Sequence, residues 1–199
     1  MIGILKKTAS GILTAFLIFL PAICDAEDPK KDEINFTKPV VYTLSLMAVG
    51  YGALLLTDEF DYPSYTTFRS SYNSWPKRDP DSWTYNYVGH PLWGSETYLR
   101  AREANFGMIG SIAFNMAASL FWEYLVESWS EHASIQDLVI TTGAGWIIGE
   151  IRYRIKNVID PDYYFFIDPI NTLLEHTSVS LSRDEEGHIS PSISFAWVF

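Results

Sequence analysis

At 199 residues the chain is long enough for one domain, and its net charge of −10 leaves no basic surface for tracking phosphates, so nucleic-acid binding is excluded. A hydrophobic fraction of 48% against 19% charged residues excludes disorder, yet no uninterrupted hydropathy of a transporter is present. The same acidity argues against electrostatic docking on anionic lipid, so membrane contact has to be apolar and aromatic.

Residues 1–26 are expected to form a cleaved signal peptide. Lys6 and Lys7 make a short positive region, residues 11–20 are apolar apart from Thr14, and Pro21-Ala22 breaks the helix ahead of the small residue Ala26. The apolar run is short for a bilayer span. A lipoprotein would use Cys24, but Pro21 and Ile23 are poor lipobox residues. Cleavage after Ala26 removes the chain's one cysteine and with it any disulfide or thiol chemistry.

Residues 27–38 form a charged leader, and a helical, membrane-associated domain is expected over 39–175. It opens with the uncharged run 39–57 (PVVYTLSLMAVGYGALLLT), which fits either a membrane span or a buried core helix. Between 58 and 88 aromatic residues recur irregularly, among them Phe60, Tyr62, Tyr65, Phe68, Tyr72, Trp75, Trp83, Tyr85 and Tyr87. They suit a membrane–water interface or a packed loop over a helical core. Helices are expected at 94–105, 106–129, 134–156 and 162–175. Ser134 and Asp137 resemble a capping box with Asp in place of Glu.

From Ile189 the period changes to two. Ile189, Pro191, Ile193, Phe195, Trp197 and Phe199 alternate with small or polar residues, and Thr177–Arg183 is a plausible partner strand. The fold expected is therefore mainly α, a bundle of about four or five helices with a C-terminal β-hairpin over 176–199. The aromatic ending is similar to the assembly signal of outer-membrane proteins.

The informative chemistry lies in residues 86–150. Ser111, Asn115, Ser119, Glu123 and Glu127 recur every fourth position, as do Asp137, Thr141, Gly145 and Gly149, with Glu150 beside the last. Each set forms one stripe on a helix, and the small residues permit close approach. Facing stripes would bury carboxylates, which then need partners. The expected polar cluster is His90, Arg100, Arg102, Glu123, Glu127, Asp137 and Glu150, with Arg102 pairing Glu123 and Arg152 and Arg154 nearby. It suits structural ion pairing, binding of a headgroup, metal or partner, or catalysis. His90 precedes Pro91, which points to an extended junction. No metal site or cofactor is expected: Glu123-x-x-x-Glu127 lacks the Glu-x-x-His pairing of di-iron bundles, and His-Glu-x-x-His is missing, as are a nucleophile elbow, a phosphate loop and a dinucleotide fingerprint.

The run Asn86, His90-Pro91, Gly94, Tyr98, Arg102, then Ser119, Trp122-Glu123-Tyr124, Glu127, then Ser134, Asp137, Thr141, Gly145, Gly149-Glu150 resembles an uncharacterised bacterial family, domain of unknown function 3943. In that pattern a proline commonly precedes the serine, where this chain has Ala133. The resemblance implies an exported envelope protein and supplies no activity.

The function expected is that of a structural or lipid-interacting envelope protein at the outer membrane or in the periplasm, with the inner membrane as an alternative location. The alternative function is a membrane-embedded enzyme acting on a lipid or envelope substrate through His90 and Glu123. Membrane lipid is the expected partner, together with an envelope protein or a second copy of the chain.

Overall fold

The computed structural model describes residues 33–56, 61–76, 81–183 and 189–195. The expected signal peptide (1–26), Phe60, and the tail aromatics Trp197 and Phe199 lie outside the described residues.

Helix α1 spans Thr37–Leu54 and tolerates Pro39 because that residue sits in the first turn, where no intrahelical N–H is needed. Only Pro39, Thr43 and Met47 are buried, a single fourfold stripe. The run is thus not the fully buried core helix that its composition allowed. Helix α2 (Tyr65–Tyr72) emerges from the aromatic segment, capped by the Ser64 hydroxyl, which accepts from Thr67 N at 3.0 Å. A π-helical turn, Tyr85–Gly89, leads directly into α3 (His90–Glu103).

Helix α3 ends in a Schellman motif. Asn105 takes a positive φ of 67°, Phe106 N donates to Ala101 O at 3.1 Å, and Asn105 N donates to Arg102 O at 3.2 Å. Phe106 then packs on Ala101 and Ala104. The reversal starts α4 (Met108–Phe121), which continues through a second π turn, Trp122–Val126, and a 3-10 turn, Glu127–Trp129. Helix α2 braces that end: Phe68 stacks on Trp129 with centroids 4.5 Å apart, and Tyr72 donates to the Tyr124 carbonyl at 3.0 Å.

Helix α5 (Ile135–Lys156) is the longest, and α6 (Tyr164–Ile167) and α7 (Pro169–Glu175) are short, parted by Asp168-Pro169. Contacts advance together along α3 and α5, from His90–Thr141 through Gly94–Gly145 to Tyr98–Gly149, so the two helices run in the same direction. Their crossing is backbone on backbone. A Cβ on Gly94 would lie 1.9 Å from Thr141 O, and one on Gly145 would lie 2.6 Å from the Gly94 carbonyl carbon. Helices α1 and α4 run the opposite way beside α3: Asn35 N reaches Ala104 O while Gly50 faces Trp93, and Asn115 meets Thr97.

The expected count of four or five helices with a β-hairpin is corrected. Seven α-helices are present among the described residues, because the aromatic segment contributes α2 and Pro169 splits the last expected helix. The helical body contains no β-strand. Strands Thr177–Arg183 and Ile189–Phe195 pair antiparallel, Thr177 opposite Phe195, as a ribbon that follows α7 in the chain, and the described hydrophobic clusters draw only on the helical body.

The distribution of polarity is inverted. Among the described residues, buried polar and charged residues outnumber buried hydrophobic ones about two to one, while every long helix except α3 exposes several large apolar side chains. Val49, Ile109 and Val139 are 70%, 79% and 65% exposed.

Candidate functional site

The central helix is the polar one. Every residue of α3 from Gly94 to Arg102 is buried, and most carry a polar side chain. A helix polar all round survives burial only where each group is met. Here each neighbour meets some of them. Ser95 Oγ accepts from Arg152 at 2.7 Å, and Glu96 accepts from Tyr42 Oη at 3.0 Å and from Arg152 at 2.6 Å. Thr97 Oγ1 donates to Asn115 Oδ1 at 2.7 Å, and Tyr98 Oη donates to Glu150 Oε2 at 2.7 Å. Thus α3 is tied to α1, α4 and α5 by side chains spaced along one helix.

At its C-terminal end α3 enters a closed ion network centred on Asp168, whose side chain is fully buried. Arg100 pairs with Asp168 through Nη2 and with Glu103 through Nη1 at 2.6 Å. Lys156 Nζ donates to Asp168 at 2.6 Å and to Glu103 at 2.5 Å, and Arg152 reaches Asp168 at 3.3 Å. Three cations (Arg100, Arg152, Lys156) face three anions (Glu96, Glu103, Asp168), so this end is neutral as a set. Burial alone would raise the Asp168 carboxyl, but the bonds from Arg100 and Lys156 outweigh it and hold the group below the ordinary carboxylate range.

Arg102 does not pair with Glu123. Its partner is Glu150, Nε to Oε2 at 3.2 Å, with Nη1 on the Phe106 carbonyl at 3.1 Å and the guanidinium over the Tyr153 ring at 4.4 Å. Arg154 shares Glu150 at 2.9 Å. The expected pairing fails because α4 runs opposite to α3, which carries Glu123 to the start of α3, whereas α5 runs with α3 and brings Glu150 to Arg102. Arg102 and Glu150 both lie at the C-terminal ends, and Glu123 lies at the other.

That other end gathers His90, Thr141, Asp137, Glu123 and Glu127. His90 is the first residue of α3 with helical backbone angles, not an extended junction, because the π turn before it delivers a helical chain to Pro91. His90 Nδ1 lies 3.0 Å from Thr141 Oγ1, and Nε2 lies 3.8 Å from Asp137 Oδ1. The start of α5 is capped in two halves. Ser134 Oγ accepts from Asp137 N at 3.2 Å, as a capping box requires, but the Ser134 N–H goes to Glu123 Oε2 at 2.8 Å instead of to Asp137. Glu123, placed by the second π turn and 1% exposed, therefore caps a neighbouring helix, and the Asp137 carboxylate is turned toward His90.

A cleft of about 260 Å³ opens beside His90. Gly50, Ala53, Trp93 and Trp122 make its apolar wall; His90, Glu127, Asp81, Ser119 and Thr141 make its polar one. The tryptophans pack on each other with centroids 5.4 Å apart, and Tyr51 stands edge-on to Trp122 at 6.3 Å. Chemically, this end offers one imidazole among carboxylates at the margin of an apolar space.

Residues 75–171 match the family described as Domain of unknown function (DUF3943). The chain carries a DUF3943 domain. No curated protein and no solved structure matches the chain. The matched span holds α3, α4, α5 and both π turns and extends past Asp168, so it takes in both polar ends. Helix α1, which adds Tyr42 and the Gly50–Ala53 side of the cleft, precedes it.

Within the DUF3943 domain the seven expected cluster residues fall into two groups. His90, Glu123, Glu127 and Asp137 lie at one end, and Arg100, Arg102 and Glu150 at the other. Ten residues of helix separate His90 from Arg100, roughly 15 Å. Asp168, Glu96, Glu103 and Lys156 were not anticipated in the network. Glu96 and Glu103 had a sequence signal, since each lies at helical spacing from Arg100. Asp168 had none beyond its place before Pro169.

Proposed function

We propose that this protein is a structural, lipid-interacting component of the cell envelope, embedded at the outer membrane, whose polar hub fixes the register of its helices. The observation that carries the reading is the inversion of polarity. In water an apolar exterior over a polar interior is unfavourable on both counts. In hydrocarbon the exterior loses nothing, and internal hydrogen bonds and close backbone packing hold helices together. The Gly94–Gly145 crossing and the hub on α3 are of that kind.

Further support comes from the helical run Met108–Trp129, 22 residues long and, among the described residues, apolar enough to cross a membrane. The signal-like sequence of residues 1–26 and the alternating aromatic C-terminus favour export and an outer-membrane address.

Fractionation tests the reading. Native-level protein is expected in the outer-membrane fraction, resisting alkaline extraction, with an intact mass that begins after Ala26. Recovery in the soluble periplasmic fraction, or release by alkali, would overturn it.

A further inference from the structure

We propose that the cleft beside His90 binds a single-chain amphiphile with a neutral or cationic, hydrogen-bond-donating head. Its hydrocarbon chain would lie against Trp93 and Trp122, and its head would sit at His90 and Glu127. The inference deepens the lipid-interacting reading by assigning a ligand class to one site.

Size and lining set the first limit. Taking about 30 Å³ for a group the size of a water molecule, 260 Å³ holds roughly nine such groups, the scale of a medium alkyl segment. The space is not a packing defect that glycines had to create. A Cβ on Gly50 would meet Trp93 at 3.5 Å and one on Gly89 would meet Thr84 O at 3.8 Å, both ordinary contacts. At the α3–α5 crossing, by contrast, a Cβ on Gly94 would strike backbone at 1.9 Å.

The rim sets the second limit. On α1, the first π turn, α3 and α4, lining residues have exposed apolar neighbours in sequence: Val49 beside Gly50, Val88 beside Gly89, Leu92 beside Trp93, and Leu120 and Phe121 between Ser119 and Trp122.

The head is chosen by charge. The polar wall presents the Glu127 and Asp81 carboxylates and the Ser119 and Thr141 hydroxyls, with Asp137 and Glu123 behind. His90 is the one cationic candidate among these residues and already faces Asp137. An anionic head would meet two lining carboxylates with two more behind them, whereas an ammonium or hydroxyl head meets acceptors. The backbone points to the same place. Both π turns of the domain deliver residues to this cleft, Tyr85, Gly89 and then His90 from the first and Trp122 from the second. Such turns hold well under about 1% of residues and often accompany functional sites.

The test uses the full chain in detergent and three ω-brominated alkyl probes of matched length: an amine, an alcohol and a carboxylate. Bromine quenches tryptophan fluorescence at contact. Saturable quenching by the amine and the alcohol is expected at concentrations at least about tenfold below that needed for the carboxylate. Ala53→Leu, which fills the cleft from the α1 side, should raise the amine concentration needed by about tenfold, and Trp93→Phe with Trp122→Phe should remove most of the saturable signal. Glu127→Gln, which removes a lining carboxylate charge, should narrow the difference between probes without abolishing quenching. Circular dichroism identifies a variant that fails to fold, and Gly50→Leu then replaces Ala53→Leu. Equal quenching by all three probes, unchanged in the cleft-filling variant, would overturn the site while leaving the lipid-embedded reading intact. Absence of saturable quenching would do the same.

Discussion

The two ends of α3 solve the burial of charge in different ways. Around Asp168 three cations and three anions from α3, α5 and the turn before α7 interlock, and the set closes on itself. Around His90 the carboxylates outnumber the imidazole, Glu123 bonds a helix N-terminus while the imidazole meets a hydroxyl, and the group borders an open cleft. A neutral network that pairs every member serves structure, even where Glu103 and Lys156 border a cavity of about 210 Å³. An acidic, half-open one, shaped by two π turns, sets a polar wall against an apolar cleft.

The contrast breaks most sharply at the closed end. Arg100→Ala or Asp168→Ala strands a buried charge, and each should destabilise the fold by about 3–5 kcal/mol in denaturant titration of the detergent-solubilised protein. The double variant Arg100→Ala with Asp168→Ala should lose much less than the sum of the singles. Near-additive losses would show that the pair is not coupled.

The crossing between the ends should be nearly as sensitive. Gly94→Ala sets a methyl 1.9 Å from Thr141 O and should cost about 3 kcal/mol, the upper part of the overpacking range. Gly143→Ala, whose added carbon meets nothing within 4 Å, should be neutral or stabilise by up to about 1 kcal/mol through helix propensity. Equal thermal shifts for the two would refute the close approach of α3 and α5.

Acid should separate the ends next. The folded pKa of Asp168 lies below its unfolded value, so its contribution is complete above about pH 4 and disappears as pH falls through the folded value. Stability measured from pH 6 down to pH 2 should therefore drop in the acid range for the parent. Asp168→Asn should start lower and flatten that drop.

The open end should give the smallest loss. His90→Ala removes one side-chain hydrogen bond at a half-buried position and should cost about 1 kcal/mol. Glu123→Gln, which keeps an acceptor for the Ser134 N–H, should likewise cost less than Glu123→Ala.

What could be read without a structure follows the same division. The stripe Ser111, Asn115, Ser119, Glu123 and Glu127 was legible because period four on one helix survives into the fold, and all five are buried. The partner of Glu123 was not legible, since spacing along a helix carries no information about the direction of its neighbour. Asp168 sits between two short helices where no periodicity runs. His90 was misplaced by the extended bias of a residue before proline, which the π turn overrides. The helix count erred because α2 carries aromatic and hydroxyl residues with weak helix propensity and owes its start to the Ser64 cap.

The central claim is that the apolar outer face of the helices lies in lipid while α3 carries the polarity inside. Nitroxide labels placed singly by cysteine substitution at Val49, Ile109, Val139 and Ile151, with Cys24 replaced by serine where it is retained, test it in reconstituted vesicles. Each position is more than half exposed and apolar. The account predicts that all four labels collide with oxygen far more often than with a water-soluble nickel chelate, as lipid-facing sites do, while a label at the exposed Asp162 shows the reverse. Nickel collision at the four apolar positions equal to that at Asp162 would place this face in water and contradict the account.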